Sequence, residues 1–121
     1  MALSKKDLAA KGEELAAAIL ADKGYEIIEQ NYRYGHGEID IIAIDRDSNC
    51  TVFVEVKSRK NLEYGEPEYS ITKSKQTQIR KVAELYLFDK EIKELDCRFD
   101  VVTILFEDLS NPKVNHYENA F

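Results

Sequence analysis

Hydrophobic positions at the start of the chain recur with the period of an α-helix. Four apolar or small residues, three or four positions apart, form one stripe: Leu8, Gly12, Leu15 and Ile19. The stripe predicts an amphipathic helix from about Ser4 to Lys23. Ser4 is a residue that caps helices at their N-terminus, and Gly24 is a natural stop.

Beyond Gly24 the pattern changes to short β-branched and aromatic runs separated by turn residues. It predicts turns at Arg33–Gly37 and Arg46–Asn49 and an irregular segment over 58–71. Strands are predicted at Tyr25–Asn31, Glu38–Asp45, Thr51–Lys57 and Phe99–Phe106, with a short fifth at Val114–Tyr117. A second helix, capped by Thr72, is predicted over Lys73–Asp89.

This order of elements predicts an α/β fold, with a central mixed β-sheet flanked by a helix on each side. We expect the hairpin strands to be antiparallel. We expect the strand after the second helix to run parallel to the strand before it.

Composition limits the class of protein further. The 121 residues are 44% hydrophobic and 33% charged, which is typical of one folded soluble domain spanning 1–121. The N-terminus has no apolar run of signal-peptide length, and no stretch is long enough for a membrane span. Cys50 and Cys97 are far apart in sequence and suit a reducing compartment. We therefore expect a cytoplasmic protein that does not bind a membrane.

The net charge is −6, from 17 basic and 23 acidic residues, whereas nucleic-acid binders are expected to be basic. The charge is unevenly distributed, because residues 57–81 carry seven basic and three acidic side chains. This basic segment keeps polyanion binding open without predicting it.

The candidate chemistry lies in the second and third strands. Glu55 and Lys57, two residues apart, share a face of their strand, and Asp40 lies in the adjacent strand of the same hairpin. Two carboxylates and an ammonium would converge among Ile, Val and Phe side chains. Two close carboxylates repel each other, and a hard divalent cation such as Mg²⁺ relieves that repulsion. This arrangement predicts a phosphodiester hydrolysis site, with Lys57 orienting water or stabilising charge on the phosphate.

A structural alternative is an ion pair between Glu55 and Lys57 on a solvated sheet face. Asp40, set in an Ile-Asp-Ile-Ile run, is harder to explain in that way.

Several motifs together resemble a known family. They are Gly12-Glu13, Gly24-Tyr25, Gly37-Glu-Ile-Asp-Ile-Ile-Ala43, Val52-Phe-Val-Glu-Val-Lys-Ser-Arg59, Lys75, Arg98-Phe-Asp100 and Asn119-Ala-Phe121. The chain resembles the PD-(D/E)XK nuclease superfamily and, over nearly its whole length, the bacterial YraN-like family. That family is distantly similar to archaeal Holliday junction resolvases. The resemblance implies a restriction-endonuclease-like domain.

The resemblance also implies roles for particular residues. Asp40, Glu55 and Lys57 match the acid, acid and lysine of the superfamily, with Asp40 and Glu55 as ligands of Mg²⁺, for which Mn²⁺ can substitute. Glu13 matches the glutamate on the first helix of resolvases. Ile39 stands where the superfamily name has proline. Helix geometry independently favours Glu13, which lies at the margin of the apolar stripe, over Glu14, which points away from it.

Arg59 and Lys75 are the candidate nucleic-acid-binding residues, although a solvated surface explains such charges equally well. We therefore carry three hypotheses. The first is a Mg²⁺-dependent endonuclease acting on DNA rather than RNA, including branched or junction DNA, for which a homodimer is expected. The second is a nucleic-acid-binding module without turnover, and the third is an acidic protein-interaction domain.

Overall fold

A computed structural model describes residues 3–61, 70–92 and 96–121. These residues form two helices and five strands in the predicted order. The elements are α1 (Lys5–Asp22), β1 (Tyr25–Tyr34), β2 (Gly37–Asp45), β3 (Cys50–Arg59), α2 (Lys73–Asp89), β4 (Cys97–Leu105) and β5 (Lys113–Tyr117).

The strands form one mixed sheet in the order β1-β2-β3-β4-β5. β1, β2 and β3 pair antiparallel through two hairpins, β4 runs parallel to β3, and β5 returns antiparallel beside β4. Parallel neighbours need a crossover connection, and α2 lies in the one between β3 and β4. The predicted α/β class and strand directions are confirmed.

Each face of the sheet is covered by one helix. α1 buries Ala16 and Leu20 against one face, together with residues such as Val54. α2 buries its own apolar residues, including Ile79, against Phe53 on the opposite face. Alternating side chains of a strand point to opposite faces, so β3 supplies Val52 and Val54 to one core and Phe53 to the other. The prediction of a helix on each side of the sheet is confirmed.

Both helix starts follow the predicted capping. Ser4 Oγ accepts a hydrogen bond from the backbone N–H of Asp7 at 3.1 Å, and Thr72 Oγ1 accepts one from Lys75 at 3.2 Å. After α1, Gly24 has φ +94, a conformation that favours glycine. Among the described residues, no helix is long and apolar enough to cross a membrane.

Two predicted boundaries were wrong. β1 continues to Tyr34 because Arg33 pairs with Glu38 across the hairpin, so the turn is only Gly35–His36. β3 continues to Arg59, whose partner in β4 is Leu105, and the chain bends only afterwards. The rest of the segment predicted as irregular includes residues 62–69, which lie outside the described residues.

Candidate active site

The β2–β3 hairpin stops pairing at the position of Asp40. Its register runs from Asp45–Cys50 to Ile41–Val54 and goes no further, although β3 continues beside β4. Asp40 Oδ2 accepts a hydrogen bond from the backbone N–H of Val56 at 2.8 Å. The carboxylate therefore bridges the opening between the two strands, and the predicted proximity of Asp40 to the Glu55 end of β3 is confirmed.

The strand alternation also breaks at this point. Ile39 packs in the core on the α2 side of the sheet, whereas Ile41, two residues later, packs in the core on the α1 side. A regular strand would place both residues on one face. The irregularity lets Asp40 approach acidic side chains from both sides of the sheet.

On one side, Asp40 joins Glu13 of α1 and Glu38 of β2. One oxygen from each of these carboxylates lies within 4.8 Å of the others. Asn31 lies in β1, between the pairs Gln30–Ile41 and Tyr32–Ile39 and hence opposite Asp40. With its amide nitrogen turned toward the acids, Asn31 donates to Glu38 Oε1 at 2.9 Å and to Glu13 Oε2 at 3.1 Å.

On the other side lies Glu55, whose side chain is only 14% exposed. Its nearest cation is Lys75 of α2, with Nζ 4.0 Å from Glu55 Oε1. The alternative of a solvated ion pair between Glu55 and Lys57 is therefore wrong, because the Glu55 side chain is largely removed from solvent and faces a different lysine.

The electrostatics of the site reflect this crowding of acids. Burial, followed by repulsion from Asp40, raises the pKa of Glu55 to about 8, against the opposing effect of Lys75. Burial also raises the pKa of Glu13 to about 7, and the carboxylates of Asp40 and Glu38 add to the shift. At neutral pH the cluster therefore resists carrying its full negative charge.

A divalent cation fits this donor set. Carboxylate oxygens are the ligands that Mg²⁺ prefers, and a bound cation would offset the repulsion that raises these pKa values. The compact group contains Glu13, Glu38 and Asp40, whereas Glu55 adjoins it through Asp40. Asp40 is thus common to the predicted ligand pair and to the observed cluster.

The contact made by the Lys57 ammonium differs from the expectation. Lys57 shares the α2 side of β3 with Glu55 as predicted, but its Nζ donates to the backbone oxygen of Ser70 at 2.9 Å. Among the described residues, no carboxylate forms an ion pair with it. The expectation that its ammonium lies beside two carboxylates is wrong in this structure, because the segment preceding α2 offers a carbonyl within reach of the long side chain.

Three further placements complete the site. Glu13 is partly buried and Glu14 is exposed, as the position of the apolar stripe predicted. Arg59 is partly buried and lines a cavity next to Glu13. Sequence reasoning missed Glu38 and Asn31, although Glu38 was visible as the acid two residues before Asp40 in the same strand.

Two helices around a five-stranded mixed sheet, with acids where β2 and β3 part, form an α/β architecture consistent with the restriction-endonuclease-like fold. Residues 12–104 match the model of "Uncharacterised protein family UPF0102". The chain belongs to this family, also called the YraN family, which confirms the resemblance seen in the sequence.

Individual relatives agree over most of their length. The chain is 47% identical over 119 residues to a UPF0102 protein of Chlorobium limicola, covering 94% of this chain and 91% of the relative. It is 44% identical over 110 residues to one of Trichlorobacter lovleyi, covering 91% and 86%. A UPF0102 protein of Nocardia farcinica is 42% identical over 117 residues, covering 97% and 91%.

Proposed function

We propose that this protein is a Mg²⁺-dependent endonuclease that hydrolyses DNA phosphodiester bonds, including those of branched or junction DNA. One observation carries the proposal: carboxylates from α1, β2 and β3 converge around Asp40 at the point where two strands of the sheet part. Buried like charges are costly unless something binds between them, and a metal bridging to a phosphate supplies that partner. The enzyme would work in the cytoplasm, and a symmetric junction would require a homodimer with two matching sites.

The roles follow from position. Asp40, Glu13, Glu38 and Glu55 would hold Mg²⁺, or Mn²⁺ in its place. Mg²⁺ bound there would polarise the scissile phosphate and lower the pKa of a bound water. Lys75 stands 4.0 Å from Glu55 and would contact a phosphate oxygen beside the metal ligands.

Lys57 and Arg59 lie further along β3. The Cα atoms of Glu55 and Lys57 are about 6.6 Å apart along one strand face. A rotation of the Lys57 side chain away from Ser70 would bring its ammonium beside a phosphate held at Glu55. There it would stabilise charge that develops on the phosphate. Arg59 would contact a neighbouring phosphate of the same DNA strand.

The central test compares two adjacent glutamates of α1. Cleavage of single-stranded, duplex, flap and four-way DNA would be measured with Mg²⁺, with Mn²⁺ and with a chelator. Glu13→Gln removes a charge from the cluster and should lower cleavage by about 10²–10³-fold. Glu14→Gln removes the same charge from an exposed position and should leave cleavage unchanged. Equal activity of the two variants would refute the assigned site, and a parent protein inactive on the whole panel would refute the enzyme.

The two lysines separate catalysis from binding. Lys57→Ala should lower cleavage by about 10²–10³-fold while DNA and Mg²⁺ affinity change little. Lys75→Ala should weaken DNA binding at every sequence and reduce its salt dependence, because a phosphate contact is lost. Lys90→Ala, at the exposed far end of α2, is the control for charge. If folded Lys57→Ala cleaves as fast as the parent, Lys57 has no catalytic role.

A second function, nucleic-acid binding without turnover, is favoured by the contact of Lys57 with Ser70, because the ammonium is then hydrogen-bonded to a backbone carbonyl. Among the described residues, it forms no ion pair with a carboxylate of the site. DNA binding that falls steeply with salt, in a protein that cleaves nothing on the panel, would support this second function. Absence of binding even at low salt would favour the acidic protein-interaction domain.

A further inference from the structure

A cavity of about 600 Å³ opens beside the carboxylate cluster, between the first half of α1 and the C-terminal end of β3. Its apolar lining includes Leu8 and Val56. Basic residues from both elements also line it, among them Lys5, Arg59 and Lys60. The cavity thus combines an apolar floor with a positive rim in a chain whose net charge is −6.

The cavity and the cluster are continuous because Glu13 belongs to both. Lys5, Ala9 and Glu13 are four residues apart on α1 and therefore lie along one side of the helix. All three line the cavity. With a rise of 1.5 Å per residue, Lys5 lies about 12 Å along the helix from Glu13. A ligand bound at the acids can therefore extend along α1 to Lys5.

The chemistry of this lining selects the occupant. Within the described part of the lining, Lys5, Arg59 and Lys60 stand against one acidic residue, Glu13, and this excess of positive charge complements phosphates. The apolar floor, formed by aliphatic side chains such as Leu8 and Val56, can bury the face of an unpaired base beside the basic residues. The volume is that of a small-ligand site, between roughly 300 and 1,000 Å³, which admits one or two nucleotides of a single strand but not a duplex.

We propose that this cavity holds the unpaired nucleotide next to the scissile phosphate, so that the substrate is DNA with a single-stranded segment at the cut. The inference rests on the proposed nuclease function for the position of the scissile phosphate. It goes further by requiring unpaired DNA on the α1 side of the acids.

Two pairs of neighbouring positions provide the test. Lys5 and Ala9 line the cavity, whereas Lys6 and Ala10 are exposed residues of the same helix outside its lining. Lys5→Glu and Lys6→Glu change the net charge equally, as do Ala9→Glu and Ala10→Glu. Fluorescence anisotropy with labelled oligothymidine and with a blunt duplex, both in a chelator, would measure binding without turnover.

We expect Lys5→Glu and Ala9→Glu to weaken oligothymidine binding on the order of tenfold. The control variants Lys6→Glu and Ala10→Glu should weaken it less than twofold. Duplex affinity should change equally within each pair. Equal losses of oligothymidine binding within both pairs, or no measurable binding by the parent, would overturn the cavity assignment. Circular dichroism would establish that each variant is folded.

The chelator separates this inference from the proposed function. If the pairs differ as expected but no substrate is cleaved, the cavity stands and the nuclease assignment fails. If Mg²⁺-dependent cleavage is found but blunt duplex is cut as fast as flap DNA, the nuclease stands and the cavity assignment fails.

Discussion

The close approach of α1 to β3 at Gly12 sets the position of Glu13, and it can be perturbed by one methyl group. A Cβ on Gly12 would overlap Ser58 Oγ, would lie 3.3 Å from Ser58 Cβ, and would lie 3.6 Å from a methyl group of Ile104. Ser58 Oγ is buried and has no hydrogen-bond partner among the described residues. Gly12→Ala therefore forces the helix and strand apart or rotates a buried hydroxyl.

The expected magnitudes come from opposing effects. Overpacking a core position costs roughly 1–3 kcal/mol, whereas alanine in place of glycine within a helix gains about 1 kcal/mol. Gly12→Ala alone should therefore lower the free energy of unfolding by about 0–2 kcal/mol. In the background of Ser58→Ala the overlapping oxygen is absent, but the Cβ at position 58 still lies 3.3 Å from the new methyl group and must shift slightly. Gly12→Ala should then stabilise the protein by up to about 1 kcal/mol. The coupling between the two positions is then about 1–3 kcal/mol.

Urea unfolding of the four proteins in the double-mutant cycle measures this coupling, provided that the slope with denaturant is unchanged. A coupling below about 0.5 kcal/mol would refute the reasoning, because positions without shared contacts behave additively. If helix displacement moves Glu13 from Asp40, Mg²⁺ affinity should fall in Gly12→Ala and recover in the double variant. Calorimetric titration measures this second effect independently of stability.

Three other outcomes test the charged groups of the fold. Asp40→Asn should abolish Mg²⁺ binding in calorimetry. The variant should still fold, because the asparagine amide oxygen can accept the hydrogen bond from the backbone N–H of Val56. Undiminished Mg²⁺ binding would place the metal elsewhere. In the metal-free protein, the raised pKa values of Glu55 and Glu13 mean that the unfolding free energy should fall as the pH rises from 4.5 to about 8. Glu55→Gln should reduce that slope in thermal melts and leave the part below about pH 7 that Glu13 contributes. Burial opposes ionisation of Asp100, but hydrogen bonds from partners including Arg98 outweigh it and hold its pKa below 3.8. The stability from Asp100 should be present above pH 3.8 and disappear in acid. Arg98→Met should cost about 3–5 kcal/mol at pH 7, which urea unfolding can measure against the parent.

The spacing of hydrophobic residues and the positions of capping and turn residues were sufficient to predict the helices, the strands and the relative directions of the strands. Apolar spacing and capping residues located both helices, since these signals act within a few residues of each other. The short polar turn at 46–49 determined the β2–β3 hairpin. That hairpin in turn brought Asp40 near Glu55, because an antiparallel register follows from the turn between its strands.

Only the tertiary structure decided how the site is assembled. The alternation of side chains that places residues on a face holds only while strands stay paired, and pairing ends at Ile41–Val54. Glu38 and Asn31 therefore join Glu13 through contacts between distant elements that no local pattern specifies. The direction of Lys57 was equally undetermined by its sequence position. A long, flexible side chain takes the partner that the surrounding fold offers, and here that partner is the carbonyl of Ser70.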